Sequence, residues 1–315
     1  MSDTGIVIVT HNSQEHIGPC LDAALLTGAD TVVVDNGSHD GTIAVAARRG
    51  VHLIANPTNR GFAAAVNQGF AVLNSAYVLL LNPDAVLQGG LDALREASSL
   101  PGSAGAGGCL VDVNGRPQIG FMVRQLPSAF TLILEVLLLN KIWPNNPINR
   151  RYRGLRLDYS ARMRVEQPAG AFLMIRRPVW EELGGFDEGF YPIWFEDVDF
   201  CKRAADRGHR FYFAPLAVAK HTGGHSISEL SLEKRVICWY GSLLRYSAKH
   251  FGPIACRVLC LAVVVGSLLR SVGESALRWS LAPLAAYGKV VRQASRCFLF
   301  GWGTERFGPA PNDLG

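Results

Sequence analysis

The sequence predicts an α/β fold in which a mostly parallel, Rossmann-like sheet is flanked by helices. Over the first 81 residues, apolar segments of four to six residues alternate with longer segments of helical patterning. This alternation is typical of right-handed βαβ units. Each predicted strand also ends in a polar turn that contains Asp or Asn. Because the carboxyl ends of parallel strands meet at one edge of a sheet, these turns predict a nucleotide cleft along that edge.

The clearest of these strand ends is the segment LLLNPDAV at residues 79–86. Pro83 has no N–H to donate, so strand pairing should stop there. Asp84 would then lie just beyond a central strand, where a carboxylate suits a divalent cation that carries substrate phosphates. The alternative is a simple turn that caps the next helix, because Asn-Pro-Asp is common turn chemistry.

The elements continue in order along the chain. Strands are predicted at 6–9, 31–34, 51–55 and 77–81, and helices at 14–26, 62–73 and 91–99, with one more ending at 49. Residues 104–112 and 117–123 predict two strands around the tight turn Asn114-Gly115. An apolar helix at 130–139 is followed by residues 141–164, whose weak periodicity indicates an irregular, partly mobile segment over the cleft, on which acceptor specificity would depend.

The second half begins with a predicted buried strand at 172–175 and a short helix that Gly184-Gly185 ends. An aromatic-rich loop precedes Glu196-Asp197-Val198-Asp199, which opens a helix to 207. Acids in a first helical turn suit the helix macrodipole, but three acids are more than one cap needs. After a strand at 210–214, His221 lies in a glycine-rich loop, where a lone histidine is usually only solvated.

Charge is unevenly distributed. The net charge is +5, yet the chain from Lys234 onward carries eleven Lys or Arg and three acids. Together with the apolar runs of this region, the basic excess indicates an anionic membrane surface as a partner, and no nucleic acid. The uncharged run 258–269 is shorter than the about 20 residues that a membrane span needs. We therefore expect an interfacial or re-entrant helix with Arg257, Arg270, Arg278 and Lys289 among lipid headgroups, or alternatively a helix packed against the catalytic domain or a second subunit of a homo-oligomer.

The seven cysteines show no CxxC pairing. Several lie in apolar helical surroundings, which indicates buried free thiols in a reducing cytosol and argues against a zinc site. The first predicted strand begins close to the N-terminus, so no signal peptide is expected.

Short motifs follow one another in a specific order between Ile6 and about Ser226, with a weaker match in the helix up to Phe251. They are Thr10-His11-Asn12-Ser13, Val34-Asp35-Asn36-Gly37-Ser38, Asn59-Arg60-Gly61-Phe62 with Asn67 and Gly69, Leu81-Asn82-Pro83-Asp84, Gly170-Ala171-Phe172, Gly184-Gly185-Phe186-Asp187-Glu188, Phe195-Glu196-Asp197-Val198-Asp199, and His221 with Gly224 and Ser226. In this order they resemble the family 2 inverting glycosyltransferases of the GT-A fold, especially the bacterial rhamnosyltransferase-like branch.

The resemblance implies transfer of a sugar, with rhamnose from dTDP-rhamnose as one candidate, from a dTDP- or UDP-sugar to a hydroxyl of a glycan or lipid-linked acceptor in cell-surface polysaccharide synthesis. It implies Mg²⁺ or Mn²⁺ held by Asp84 and His221, with Asn82 in place of the first acid of the family's Asp-x-Asp motif. Asp197 is the implied catalytic base, supported on the acceptor side by Glu196, Asp199 and Trp194. The implied nucleotide-sugar contacts are Thr10, His11, Asn12, Asp35, Asn59, Arg60, Gly61, Asn67 and Asn82.

The implied organisation is a GT-A catalytic domain at 1–228, divided at about 112 into nucleotide-sugar and acceptor halves, and a helical, basic-apolar region at 229–315. The expected location is cytoplasmic, peripheral at the inner face of the membrane. Two other classes stay open at this point. A nucleotidyltransferase would usually carry a Gly-rich loop with Lys after the first strand, which this chain lacks. A non-catalytic protein on a degenerate transferase fold would not need Asp84, Asp197 and His221 intact.

Overall fold

The computed structural model describes residues 3–223 and 230–301, so the motif positions Gly224 and Ser226 lie outside the described residues. The strands are β1 Thr4–Thr10, β2 Asp30–Asp35, β3 His52–Ala55, β4 Tyr77–Leu81, β5 Ala85–Gly89, β6 Ser103–Val111, β7 Val123–Arg124, β8 Met163–Val165, β9 Gln167–Pro168, β10 Phe172–Arg176 and β11 Arg210–His221. The helices are α1 Gln14–Leu25, α2 Thr42–Ala47, α3 Phe62–Val72, α4 Leu91–Ser98, α5 Ala129–Val136, α6 Leu139–Ile142, α7 Pro147–Tyr152, α8 Arg177–Leu183, α9 Glu196–Asp206, α10 Leu232–His250, α11 Pro253–Arg278 and α12 Ala282–Phe300.

The main sheet has the strand order β3-β2-β1-β4-β10-β6-β11-β5, which confirms the predicted α/β class. The first four strands are parallel, and Ile6, Val7 and Ile8 of β1 are fully buried, as expected for a strand covered on both faces. Beyond β4 the sheet is mixed, because β10 runs antiparallel to β4 and β6. The strand order changes direction between β1 and β4, and this switch point opens a crevice at their carboxyl ends.

The structure differs from the predicted strands in three places. Residues 117–123 do not form the predicted hairpin partner of β6, since an isolated bridge between Val111 and Pro117 is followed by a turn in which Phe121 and Met122 both donate to the Gln118 carbonyl. The strand β5 was not predicted at all. It follows Asp84 directly and pairs antiparallel with β11, which continues to His221 well beyond its predicted end at 214.

The predicted helix at 130–139 divides into α5 and α6 at Leu138, whose φ of 64° is left-handed. The segment after it is more ordered than predicted. Asn146 donates to Asn140 at 2.9 Å and accepts from the Asn149 backbone N–H at 2.8 Å, and all three asparagines are buried. Satisfied buried amides of this kind fix local structure where apolar periodicity is weak.

The C-terminal helices form a second apolar cluster apart from the sheet core. Residues of α5, α10, α11 and α12 pack together there, and Phe190 of the aromatic loop joins them. The uncharged run 258–269 lies inside α11, which is 26 residues long and contains both Arg257 and Arg270. Among the described residues, this helix is the one that is long and apolar enough to cross a membrane. By length and composition alone, this helix meets the requirement of about 20 residues that the twelve-residue run does not meet.

Candidate active site

Thr10 and Asp35 end the neighbouring strands β1 and β2 and stand opposite each other in their register. The Thr10 hydroxyl donates to Asp35 at 2.9 Å, and the backbone N–H and hydroxyl of Ser38 donate to the same carboxylate at 2.9 and 2.5 Å. Both Thr10 and Asp35 are buried. The Asp35 carboxylate is thus fixed at the floor of the crevice, and its contact with a nucleotide stays a prediction.

The loop after β1 is tied to the loop after β2. Asn12 has a left-handed φ of 49°, and its N–H donates to Ser38 at 2.8 Å while its side-chain oxygen accepts from the His39 N–H at 2.9 Å. The His11 Nδ1 lies 3.1 Å from the Asn36 carbonyl. These bonds hold the two loops together as one wall of the crevice.

Asn59, Arg60 and Gly61 form the next wall. The Asn59 side-chain oxygen accepts from Asn36 and from the Gly61 N–H, both at 2.9 Å. Gly61 has a φ of +89°, and a Cβ there would lie 2.7 Å from the Tyr191 ring, so a larger residue would strain the backbone and displace the ring. The Arg60 side chain is exposed.

Asn67 has a different environment from the other predicted nucleotide-sugar contacts. Its side chain donates to the Phe186 carbonyl at 3.0 Å and to Glu188 at 2.9 Å, and it accepts from the Phe186 N–H at 3.0 Å. These bonds clamp the loop that follows Gly185 onto α3. The structure therefore gives Asn67 a loop-positioning role, and a nucleotide contact by this residue stays a prediction.

Asp84 and His221 are brought together at the β5–β11 ladder. Asp84 is buried, and its Oδ2 accepts from the Gly223 N–H at 3.0 Å while its Oδ1 lies 3.5 Å from the His221 Nε2. The backbone of the neighbouring residue also joins the two strands, since the Thr222 N–H donates to the Asp84 carbonyl at 3.1 Å. The pair is therefore held by main-chain geometry.

Gln118 determines which nitrogen of His221 carries a proton. Its Nε2 donates to the His221 carbonyl at 2.9 Å, so its Oε1 is the atom 2.9 Å from the His221 Nδ1 and must accept from it. The Nε2 of the neutral ring then presents a lone pair to Asp84. Burial lowers the pKa of His221, against the opposing charge of Asp84, which favours this neutral ring. A nitrogen lone pair and a carboxylate oxygen that face each other are a suitable pair of ligands for a divalent cation.

Gln118 and Phe121 were not identified from the sequence. Phe121 stacks on the His221 ring with centroids 5.3 Å apart and an interplanar angle of 11°. Both residues lie in the turn that was predicted as a strand, so no local pattern marked them. The sequence offered one indication of their role: the turn follows a predicted strand, and turns after strands can lie at the edge of the sheet where ligands bind.

Asp197 lies in the first turn of α9, and its carboxylate faces Gly170, just before β10. Its Oδ2 accepts from the Gly170 N–H at 2.9 Å and from Gln167 at 3.2 Å, and its Oδ1 accepts from the Val198 N–H at 2.8 Å. Burial raises the pKa of Asp197, against the hydrogen bonds from Gly170 and Val198. A carboxylate that is oriented by backbone N–H groups and has a raised pKa is a suitable proton acceptor.

The residues before Asp197 adopt unusual backbone conformations. Trp194 and Phe195 both have left-handed φ angles, 84° and 71°, which is costly for large side chains. The next residue, Glu196, is buried, and its Oε2 has no hydrogen-bond partner. Burial and then the charge of Asp197 raise the pKa of Glu196 well above its ordinary value, which favours its protonated form. Backbone strain beside two neighbouring acids, one of them buried, is typical of active sites.

Asp199 lies on a different face of α9 from Asp197. It is fully buried and accepts from Arg203 and His250, both at 2.7 Å, and it pairs with Lys249 at 2.7 Å. The role predicted for Asp199, contact with the base or the acceptor, is not what its partners show. Its carboxylate joins α9 to α10, because Arg203 belongs to α9 while Lys249 and His250 lie at the C-terminal end of α10.

The two carboxylate centres lie on the same sheet edge. The Asn82 N–H donates to the Ala171 carbonyl at 3.0 Å, and Ala171 follows Gly170, which holds Asp197. Asp84 is two residues beyond Asn82 in the turn after β4. The Asp84–His221 pair and the Asp197 carboxylate therefore border one cleft.

The chain was compared with known proteins. The sequence profile described as glycosyl transferase family 2 matches residues 5–133. A relative named N-acetylglucosaminyl-diphospho-decaprenol L-rhamnosyltransferase, from Mycobacterium tuberculosis (strain ATCC 25618 / H37Rv), is 33% identical over 239 residues, which are 70% of this chain and 76% of the relative. The chain belongs to glycosyltransferase family 2. The nucleotidyltransferase alternative is therefore wrong, and the protein is a glycosyltransferase.

Other relatives agree with this family. Rhamnosyltransferase WbbL from Escherichia coli (strain K12) is 26% identical over 187 residues, which are 58% of this chain and 66% of the relative. A mannosyltransferase from Pyrobaculum calidifontis, solved with GDP-Man and Mn2+, superposes with a TM-score of 0.52 at 16% identity over 96% of this chain and 88% of its own. GalNAc-T7, solved with UDP, GalNAc and Mn2+, gives a TM-score of 0.53 at 17% identity over 78% of this chain and 50% of its own. These likenesses confirm the GT-A fold and the rhamnosyltransferase-like branch.

Proposed function

We propose that this family 2 enzyme is a metal-dependent inverting glycosyltransferase that transfers a sugar, rhamnose from dTDP-rhamnose as the first candidate, to a hydroxyl of a glycan or lipid-linked acceptor in cell-surface polysaccharide synthesis. The observation that carries the proposal is the pair of separate centres on one cleft, Asp84 with His221 and Asp197 with Gly170. Support for the sugar and the lipid-linked acceptor comes from the names of the rhamnosyltransferase relatives.

Asp84 and His221 would hold Mg²⁺ or Mn²⁺. The residues fit such an ion, because the Asp84 Oδ1 and the lone pair of the His221 Nε2 converge at 3.5 Å while the other atoms of both groups are already bonded. A bound ion would neutralise the charge that develops on the departing diphosphate. Oxygen and nitrogen donors suit Mn²⁺ and Mg²⁺, and the single carboxylate leaves the remaining positions to diphosphate oxygens and water.

Asp197 would accept the proton of the acceptor hydroxyl. The acceptor oxygen forms a bond to the anomeric carbon from the side opposite the diphosphate, the bond from that carbon to the diphosphate oxygen breaks, and the hydroxyl proton passes to the Asp197 carboxylate. The configuration at the anomeric carbon is inverted by this single displacement. The bonds from Gly170 and Val198 keep the carboxylate oriented, and its raised pKa makes it a better base than an exposed Asp.

The test of the base is Asp197→Asn in a donor panel that includes dTDP- and UDP-sugars. We expect turnover to fall by about 10²–10⁴-fold. Nucleotide affinity should be unchanged, because Asp197 is not on the Asp84 side of the cleft. The matched control is Asp206→Asn at the other end of α9, where the acid is exposed and pairs with Lys202. Near-wild-type turnover in Asp197→Asn would contradict the assignment.

The second part of the proposal is attachment to the cytoplasmic face of an anionic membrane through α11 and α12. One face of α11 is buried, with Leu259, Cys260 and Val263 fully inaccessible. The opposite face exposes an apolar stripe at alternating four- and three-residue spacing, made of Ile254, Val258, Leu261, Val265, Leu268 and Val272. A helix with one face packed on protein and one apolar face open favours lying in the membrane interface over crossing the bilayer.

The link between α11 and α12 supports this proposal. Leu277, Trp279 and Leu281 are 83%, 96% and 76% exposed there. Tryptophan is enriched at membrane interfaces, because one part of its ring system is apolar and its N–H is polar. An exposed Trp between two leucines is therefore a suitable insertion point.

The basic residues contribute less than predicted. Arg257 is exposed, but Arg270 points inward, donating to the Tyr240 hydroxyl and, at 3.1 Å, to the Glu135 carbonyl. The expectation that Arg270 lies among headgroups is therefore wrong, because its guanidinium is bonded to the Tyr240 hydroxyl and the Glu135 carbonyl inside the protein. Lys289 pairs with Glu233, and the side chain of Arg278 lies outside the described residues.

Vesicle co-sedimentation tests the attachment. Full-length protein should pellet with anionic vesicles at low salt and less at high salt, because each basic residue near the surface adds roughly 1 kcal/mol. Trp279→Glu and Val265→Glu should each reduce pelleting, whereas the control Val113→Glu, at an exposed position outside α11 and α12, should not. Substitutions are preferable to truncation, since removal of α11 and α12 would expose the apolar side of α10. Full-length protein that stays in the supernatant at low salt would exclude membrane attachment.

A further inference from the structure

Three cysteines, two from α11 and one from α12, converge at the open end of the α11–α12 hairpin. Cys256 and Cys260 lie one turn apart near the start of α11, and Cys297 lies near the end of α12. Their sulfur atoms all lie within 4.8 Å of one another. Cys260 and Cys297 are buried and Cys256 is partly exposed. The sequence alone predicts only separate buried thiols at these positions.

We propose that Cys256, Cys260 and Cys297 form a binding site for a thiophilic d¹⁰ cation, Zn²⁺ or Cu(I). Soft thiolate ligands select these metals over Mg²⁺ and Mn²⁺. A Cys-x₃-Cys spacing lies within the range used by protein zinc sites, and a Zn–S bond of about 2.3 Å corresponds to sulfur atoms about 3.8 Å apart in a tetrahedron. The upper limit of 4.8 Å on the separations of the three sulfur atoms lies close to that value.

The site has three ligands from the chain. Among the described residues, no His, Asp or Glu joins this group of sulfur atoms. Three thiolates complete a trigonal Cu(I) site, whereas Zn²⁺ would add a water molecule or another small ligand at a fourth position. The partly exposed Cys256 leaves a side from which a cation can enter.

The position of the site suggests what the metal would do. The link between α11 and α12 joins the helices at one end only, and the cysteines lie at the other end. A cation bound by both helices would therefore close the hairpin. It would also order the junction with α10, because Cys256 is six residues beyond His250, which bonds to Asp199 at 2.7 Å.

Cys238 offers a matched comparison within the same helical cluster. It is fully buried on α10, like Cys260 on α11, but it does not belong to the group of three sulfur atoms. A general effect of losing a buried thiol should therefore appear in Cys238→Ser. An effect of losing a metal ligand should appear only at Cys256, Cys260 and Cys297.

The experiment uses reduced, chelator-treated full-length protein and follows the thiolate-to-metal charge-transfer absorption during titration with Cd²⁺. We expect a band that saturates at one equivalent per chain and is displaced by Zn²⁺. A parallel anaerobic titration with Cu(I) identifies which of the two cations binds more tightly. Cys297→Ser should weaken binding by at least about tenfold, since changes beside metal ligands already cost 10–100-fold, and Cys238→Ser should leave binding unchanged.

Cys256→Ser keeps the test decisive if variants at the buried positions fail to fold, because this side chain is partly exposed. Thermal unfolding gives a second measurement, in which Zn²⁺ should raise the Tm of the wild type and of Cys238→Ser but not of Cys256→Ser. The proposal is overturned if the wild type shows no charge-transfer band, if Cys256→Ser and Cys297→Ser retain it, or if mass spectrometry of unreduced protein shows a disulfide within the cluster.

Discussion

The two centres of the cleft are held in place by different parts of the molecule. Asp84 and His221 are adjacent because β5 and β11 pair, and the bonds that fix them are made largely by backbone groups of that ladder. Asp197 begins a helix after a strained loop, and that loop is supported by α10 from outside the sheet. The difference shows that strand pairing places Asp84 beside His221, whereas the position of Asp197 depends on packing of the C-terminal helices.

The support from α10 is extensive. Asp187, in the loop before Asp197, accepts from Arg245 and Lys249 of α10, both at 2.8 Å. Ser242 donates to the Ile193 carbonyl at 3.2 Å, and the Phe195 ring lies 5.4 Å from that of Tyr246. Changes in α10 should therefore reach the base and leave nucleotide binding intact.

The largest expected effect is at the cation centre. Asp84→Ala should abolish the tightening of nucleoside diphosphate binding by Mg²⁺ or Mn²⁺, because no second carboxylate stands in the Asn82 position to replace it. Titration calorimetry with and without EDTA measures this effect. Asp197→Asn should retain the full metal dependence, and the exposed Asp92→Ala serves as a control. If the wild type binds diphosphate equally well without metal, the assignment of the cation centre is wrong.

The second-largest expected effect concerns the contacts of Asp199 on α9 with Lys249 and His250 on α10. Burial opposes ionisation of Asp199, but hydrogen bonds from His250 and Lys249 hold its pKa below the ordinary value. Asp199→Ala would remove the carboxylate that Arg203, Lys249 and His250 share, and because Arg203 and Lys249 keep other partners it should cost about 1–3 kcal/mol of unfolding free energy. We expect kcat to fall while diphosphate affinity is retained, measured by urea unfolding, kinetics and calorimetry.

The sign of the pH dependence follows from the lowered pKa. The stabilisation from Asp199 is present above the unfolded-state pKa and is lost as pH falls through the lower folded-state value. Asp206→Asn is the control, since the exposed pair with Lys202 should contribute little. Loss of diphosphate binding in a folded Asp199→Ala protein would show that the two centres are not supported separately.

The smallest expected effect is Glu196→Gln. Because the raised pKa of Glu196 favours its protonated, uncharged form, an uncharged amide in its place should change kcat/KM by no more than about threefold. The wild-type pH profile should fall at low pH as Asp197 takes up a proton, at a pKa above that of an ordinary Asp. The Glu196→Gln variant should show the same fall in rate at low pH. If the fall moves to clearly lower pH in this variant, Glu196 carries a charge in the active enzyme.

The sequence predicted the parts of the site that local patterns define. The buried run of β4 and the stop at Pro83 placed Asp84 correctly at the end of a central strand, and the first three strand ends placed Thr10 and Asp35 on the same edge. These predictions succeeded because an uninterrupted apolar segment bounded by turn residues has few alternatives in a parallel sheet.

The parts that the sequence did not predict depend on contacts between distant residues. β5 has only five residues, so its composition is a weak signal for a strand. It forms a strand because it pairs with β11. The partners of Asp199 on α10 and the contact of Gln118 with His221 likewise have no local sequence pattern. The two cysteines of α11 were overlooked because a Cys-x₃-Cys spacing has no evident meaning until a third sulfur from α12 completes the group.

The register of β5 and β11 bears on how enzymes of this kind can diversify. His221 stands opposite Ala85, the residue that follows Asp84, and this correspondence is a property of the ladder alone. The stretch from β7 to β9 lies between Asp84 and His221 in the chain, and its one strand in the main sheet, β8, pairs with β11 at residues 211–213, away from His221. If Asp84 and His221 hold a cation as proposed, insertions between β7 and β8 would reshape the surface over the cleft while these two residues stay in register, so new acceptors would be accommodated without rebuilding the side of the site that binds the diphosphate.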